Sequence, residues 1–194
     1  MNKKYSYLIK IEYLGFRYHG WQVQPQVKTV QKMVERTLAF VLQHSNFKIL
    51  GASRTDMMVS AHAAAFELFL EEELEVKPFL GQFNKSLPND IRALTIEKAG
   101  PNFNIIQDSK RKEYRYLFSS GEKTHPFCAP FLLGVQENLE VPLMQKGAKL
   151  FEGCHNFQRY AYKPSEKTVF EREIFLAEIT ENTELTASFF PETT

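Results

Sequence analysis

The sequence predicts an α+β fold made of two β-α-β-β-α-β halves of the ferredoxin-like kind, the second incomplete. Three observations carry this. Alternating segments at 5–13 and 62–70 have the period of half-buried strands, two segments with helical spacing stand at 30–43 and 77–85, and the order of elements starts again after residue 110. Two subdomains are expected, residues 1–100 and residues 101–194.

Tyr5, Tyr7, Ile9, Ile11 and Tyr13 alternate with polar residues and predict the first strand. Gly15 to Gln26 is a loop broken by Gly15, Gly20 and Pro25. Thr29 is a candidate N-cap, and Val30, Met33, Val34, Leu38 and Val41 mark one face of a helix over 30–43. Phe47 to Leu50 is a short strand. Ala64, Phe66, Leu68 and Leu70 share one face of the next. Glu71, Glu72 and Glu73 form a solvated connection. Lys77 to Lys85 is a second helix with Pro78 near its first turn, and Ile91 to Ala99 is a strand.

The second half begins with a strand from Glu113 to Ser119, on which Tyr114, Tyr116 and Phe118 alternate. Leu143, Met144, Gly147, Leu150 and Phe151 predict a helix. Phe170 to Thr180 and Glu184 to Phe190 predict two strands joined at Glu181-Asn182. This order is β-α-β-β, without a closing helix and strand.

Composition sets the class. An apolar fraction of 43% and a charged fraction of 24% are those of an ordinary globular protein. No apolar run approaches the ~18 residues of a membrane span, and Lys10 and Glu12 interrupt any signal-like stretch, so a cytoplasmic protein without membrane contact is expected. Cys128 and Cys154 lie far apart outside any CxxC arrangement and predict two reduced core thiols. The histidines show no metal-ligand spacing, so no metal is expected. Net charge is only +1, but residues 1–48 hold eight Lys/Arg against two Asp/Glu. Such an uneven surface permits a local phosphate-binding face. Lys3, Lys4, Lys10, Arg17, Lys28, Lys32 and Arg36 supply most of it; by charge alone they read more readily as a solvated surface, Lys32 and Arg36 on the helix above all, and Arg17, on the loop after the first strand, is the favoured phosphate contact.

The segment Gly51-Ala52-Ser53-Arg54-Thr55-Asp56 sets a carboxylate beside an arginine on a loop between two strands. Arg54 would keep a sheltered Asp56 ionised, and a desolvated carboxylate is a competent nucleophile toward a sugar carbon. Taken by itself, the segment reads more readily as a turn with a local ion pair.

The stretch Ser53-Arg54-Thr55-Asp56-Met57-Met58-Val59-Ser60-Ala61 resembles the catalytic loop of the TruA family of tRNA pseudouridine synthases, commonly G-R-T-D-x-G-V-H/S-A. Further segments match in order. Ile11 to Gly15 followed by Tyr18-His19-Gly20-Trp21-Gln22 resembles the family's opening strand and its Y-x-G-W-Q turn, and Thr29-Val30-Gln31 its helix start. Phe83-Asn84 with Leu87-Pro88-Asn89-Asp90-Ile91 resembles L-N-x-x-L-P-x-D-I. Lys112 to Tyr116 resembles K/R-x-Y-x-Y, and Gly153 to Phe157 resembles G-x-H-D-F. The chain departs at Ser53 and Met58, where the family has glycines. It departs also at Phe103-Asn104-Ile105-Ile106, where the family has F-H/N-A-R, and at Asn156, which replaces an aspartate. The family's last strand and helix, with their basic residue, have no counterpart before Thr194.

The resemblance implies a pseudouridine synthase-type mixed or antiparallel sheet flanked by helices. It implies a cofactor-free isomerase acting on tRNA at uridines 38, 39 or 40 of the anticodon stem-loop, and a homodimer. It assigns Asp56 as nucleophile, Arg54 as the group that holds or replaces the extruded nucleotide, and Tyr114 as the residue stacked on the flipped base. The alternative is a relative that grips structured RNA without turnover, which the two methionines after Asp56 and the missing last segment favour.

Overall fold

The computed structural model describes residues 4–108, 111–162, 164–166 and 168–191. The chain forms two compact units, Met1–Tyr114 and Arg115–Thr194.

The first unit is a four-stranded antiparallel sheet with two helices packed on one face. Its strands are β1 (Tyr5–Tyr13), β2 (Lys48–Gly51), β3 (Ala61–Leu70) and β4 (Ile91–Lys98), in the spatial order β2-β3-β1-β4. Its helices are α1 (Val30–Leu42), between β1 and β2, and α2 (Val76–Ser86), between β3 and β4. Each helix therefore crosses over one intervening strand, and β3 and β1 are the two inner strands.

Alternation on β1 does what its period dictates. Tyr7, Ile9, Ile11 and Tyr13 are buried under the helices, while Lys10 on the other face is exposed. Phe66, Leu68 and Leu70 of β3 and Ile91, Ala93 and Ile96 of β4 join them in the core. Thr29 caps α1 by accepting the Lys32 N–H at 3.3 Å, and Val30, Val34 and Leu38 are fully buried at four-residue spacing. Gln43 ends the helix in the left-handed conformation, at φ 60°. Pro78 lies in the first turn of α2, where its missing N–H is not needed by the helix. Asn84 fastens α2 to β4. Its Nδ2 donates to the Ala93 carbonyl at 2.8 Å and its Oδ1 accepts the Ala93 N–H at 2.7 Å.

Glu67 points from β3 to the opposite face of the sheet, yet it is only 1% exposed. The short helix α3 (Ile105–Asp108) lies against it, and its Oε2 accepts the Ile105 N–H at 3.3 Å. Burial pushes its carboxyl above the usual range against that N–H and the Ser6 hydroxyl, which favour the charged form; Asp108 adds to the upward push.

The second unit differs from the expected β-α-β-β run. β5 (Phe118–Ser120) pairs in parallel with β6 (Leu133–Val135). After α4 (Val141–Lys149), β7 (Gly153–Asn156) pairs antiparallel with β8 (Glu171–Ile174). The strand expected from Glu113 is confined to the three residues that find a ladder partner, so Tyr114 and Tyr116 lie outside it and are exposed. The hairpin expected at Glu181-Asn182 does not form. Instead the Asn182 side chain closes a local turn on Leu185, donating to its carbonyl at 2.6 Å and accepting its N–H at 3.2 Å. Phe127, Phe131, Phe189 and Phe190 cluster near buried Cys128, whose thiol donates to the Phe189 carbonyl at 3.0 Å. Cys154, expected in a core, is exposed on β7. No helix among the described residues is long and apolar enough to cross a membrane.

Candidate active site

The loop 52–60 joins β2 to β3 and carries Arg54 and Asp56. Asp56 opens a β-turn whose last N–H, on Val59, returns to the Asp56 carbonyl at 3.3 Å. Met58, the third residue of the turn, has φ 66°. That is the left-handed region a type II turn requires at this position, where glycine is favoured. The family pattern has a glycine here, and the backbone keeps the conformation that glycine would serve.

The segment after β1 clamps this turn. Tyr13 and Thr55 share a hydrogen bond between their hydroxyls at 2.9 Å. The Trp21 N–H donates to the Thr55 carbonyl at 3.0 Å, the Met58 N–H donates to the Tyr18 carbonyl at 3.0 Å, and the Gly15 N–H donates to the Ser60 hydroxyl at 2.9 Å. The approach is so close that only glycine fits at two places. A Cβ on Gly15 would stand 1.9 Å from the Val59 carbonyl oxygen. One on Gly20, at φ 79°, would stand 2.4 Å from that of Thr55. Trp21 is buried between Tyr13 and Phe66, ring centroids 6.4 and 6.2 Å away, and fixes the clamp to the core.

Behind the clamp stands Asp90, one residue before β4. Its Oδ2 accepts from Arg17 through Nε at 2.9 Å and Nη2 at 2.6 Å, and its Oδ1 accepts the Tyr18 hydroxyl at 2.6 Å. Partial burial pushes the Asp90 carboxyl up, but the Tyr18 and Arg17 bonds outweigh it and hold it below the usual range. Burial, with the adjacent carboxylate, drives the Tyr18 hydroxyl well above the usual tyrosine range, so it remains a donor.

The structure brings together some of the expected site residues. Arg54 and Asp56 share the exposed loop, but their side chains form no ion pair with each other among the described residues. Arg17, expected at a phosphate, is paired with Asp90 and keeps 62% of its side chain exposed. Tyr114, at the end of the first unit, is 70% exposed. Lys3 lies outside the described residues. Sequence reasoning gave no role to Tyr13, Tyr18 or Asp90. All three sit in the segments that carried the resemblance, which was the available signal. Among the described residues no group of three His, Cys, Asp or Glu side chains is close enough to hold a metal ion.

No family model matches the chain. Curated relatives do. The chain is 31% identical over 180 residues to tRNA pseudouridine synthase A 2 of Bacillus cereus, covering 91% of this chain and 72% of that protein. It is 35% identical over 152 residues to tRNA pseudouridine synthase A of Pelobacter propionicus, covering 78% and 62%. It is 29% identical over 157 residues to tRNA pseudouridine synthase A 1 of Protochlamydia amoebophila, covering 81% and 61%. The chain thus spans about six tenths of the length of the latter two relatives. With 31% identity across nine tenths of its residues, the chain belongs to the tRNA pseudouridine synthase A family.

Proposed function

We propose that the chain carries the catalytic loop of a cytoplasmic tRNA pseudouridine synthase that isomerises uridines 38–40 of the anticodon stem-loop, working as a homodimer. The observation that supports this reading most is the clamp: the Asp56 turn and the segment Gly15–Trp21 match separate family motifs and are bonded to each other at three points. Two ferredoxin-like halves, 1–100 and 101–194, the second incomplete, are the architecture that goes with it.

Asp56 serves as the nucleophile. Its carboxylate breaks the N1–C1′ bond of the bound uridine, by attack at C1′ or through a glycal. The uracil turns in place and its C5 bonds to C1′, which returns Asp56 to the free carboxylate; the C5 proton then leaves to solvent and N1 takes one up. Atoms and charge balance without a cofactor. The base must first leave the helix, at a cost of a few kcal/mol. Arg54, two residues from Asp56 on the same exposed loop, takes the place of the extruded nucleotide. Tyr114 stacks on the flipped uracil, a contact worth ~1–3 kcal/mol in comparable sites. Arg17 approaches a phosphate with the donors that Asp90 leaves unused.

A second reading, a structured-RNA binder without turnover, is favoured by Met58 at a positive φ two residues after the proposed nucleophile. Tritium release from C5-labelled uridine in an unmodified tRNA transcript separates the two. It is to be run with this chain and with Asp56→Ala. Release that disappears in Asp56→Ala supports the isomerase. Intact tRNA binding with no release by the wild-type chain establishes the binder.

A further inference from the structure

Asp90 has no part in the chemistry proposed above, yet it holds the segment that clamps the Asp56 turn. Its backbone carbonyl accepts the Leu14 N–H at 3.0 Å. Its two carboxylate oxygens divide their bonds, Oδ2 to Arg17 and Oδ1 to Tyr18, and only a tenth of the side chain is exposed. Residues 14–18 are thus gripped at three points by one residue at the start of β4.

Tyr18 passes the grip on. Its ring is fully buried, with the Lys28 ammonium 4.7 Å from the ring centroid, so the side chain has one place to go. A buried phenol needs a partner for its hydroxyl, and Asp90 is that partner. The carbonyl of the same tyrosine accepts the Met58 N–H two residues beyond Asp56. Met58 has a positive φ without being glycine, so its conformation depends on contacts that hold it. The path Asp90–Tyr18–Met58 consists of one charge-assisted hydrogen bond, one rigid buried residue and one backbone bond.

We propose that Asp90 is a positioning residue for Asp56, setting the geometry of the catalytic turn through Tyr18. The consequence for turnover rests on the isomerase reading; the mechanical relay does not. Displacing a nucleophile by ~1 Å can cost ~100-fold in rate, so a residue that never touches the RNA can still govern kcat.

Asp90→Asn keeps the shape and removes the charge; Tyr18→Phe keeps the ring and removes the hydroxyl. Amide hydrogen exchange reads the relay directly. In each variant the Met58 amide is expected to exchange at least ~10-fold faster, while the Ile9 and Leu68 amides in the sheet keep their wild-type rates. In the tritium assay kcat falls between ~10- and ~100-fold in each variant, KM for tRNA stays within about twofold in Tyr18→Phe, which leaves the Arg17–Asp90 pair in place, and the double variant has a kcat no lower than the less active single one. An unchanged Met58 amide in both variants overturns the relay. So does acceleration shared equally with the sheet amides, because a general loss of stability produces that. Should the wild-type protein show no tritium release, the isomerase reading falls alone, and the exchange rates still decide whether Asp90 holds the turn.

Discussion

The Met58 N–H donates to the Tyr18 carbonyl at 3.0 Å, and through this bond the loop that carries Asp56 is fastened to the loop that follows β1. The bond holds Met58 at φ 66°, a region that costs an L-residue roughly 1–2 kcal/mol. Met58→Gly removes the steric cost and adds unfolded-state entropy of similar size, so its stability should stay within about 1 kcal/mol of wild type. Met58→Val places a β-branched side chain where it fits worst and should lose about 1–2 kcal/mol. Urea unfolding of the two variants measures both. A valine variant as stable as the glycine one means the turn does not hold its positive φ in solution.

Glycines let the two loops of the clamp meet. Gly15→Ala drives a methyl group into the Val59 carbonyl, where both partners are backbone and neither can swing aside. A loss of about 1–3 kcal/mol is expected, as for an overpacked core. Gly147 is the control, since a Cβ there meets nothing within 4 Å in α4. Gly147→Ala should gain about 0.5–1 kcal/mol from helix propensity. Thermal unfolding of the pair should move in opposite directions.

The sequence made the first unit legible because its signals are local and agree with one another. The period of β1, the Thr29 cap and the apolar stripe of α1 each specify one element, and each element found the partner it needed. The second unit was less legible. Alternation through Tyr114 and Tyr116 marks residues able to form a strand, but a strand exists only where a partner supplies a ladder, and that is a non-local fact. At the candidate site the loop and its glycine-like position were readable from motif order. The Asp90–Tyr18 bond was not, because it joins residues 72 apart with no pattern between them.

Asn84 offers a test of how α2 is held to the sheet. Its amide makes both available bonds to the Ala93 backbone, on a strand whose register against β1 shifts between Lys10 and Ile11. Asn84→Ala leaves a donor and an acceptor of Ala93 without that partner, and a loss of about 1–3 kcal/mol is expected. Asn84→Asp can accept but not donate when ionised, so its deficit should shrink as the pH is lowered through its titration. Equilibrium unfolding at neutral and acidic pH distinguishes the two contributions.

Glu67 and Asp90 should give stability profiles of opposite sign. The folded pKa of Asp90 is depressed, so its contribution is present above the unfolded value and disappears as pH falls through the folded value. The folded pKa of Glu67 is raised by burial, so the folded state binds its proton more tightly than the unfolded state. Its effect is therefore most favourable below the unfolded value, about 4.3 for a glutamate, and is lost as pH rises through the folded value. Glu67→Gln keeps the volume and removes the titration. The Tm of Glu67→Gln relative to wild type should rise as the pH is raised from below the unfolded value through the raised folded value, with the Ile105 N–H still able to donate to the amide oxygen. A difference independent of pH would mean that the carboxyl is hydrated in solution and that α3 does not stay seated on β3.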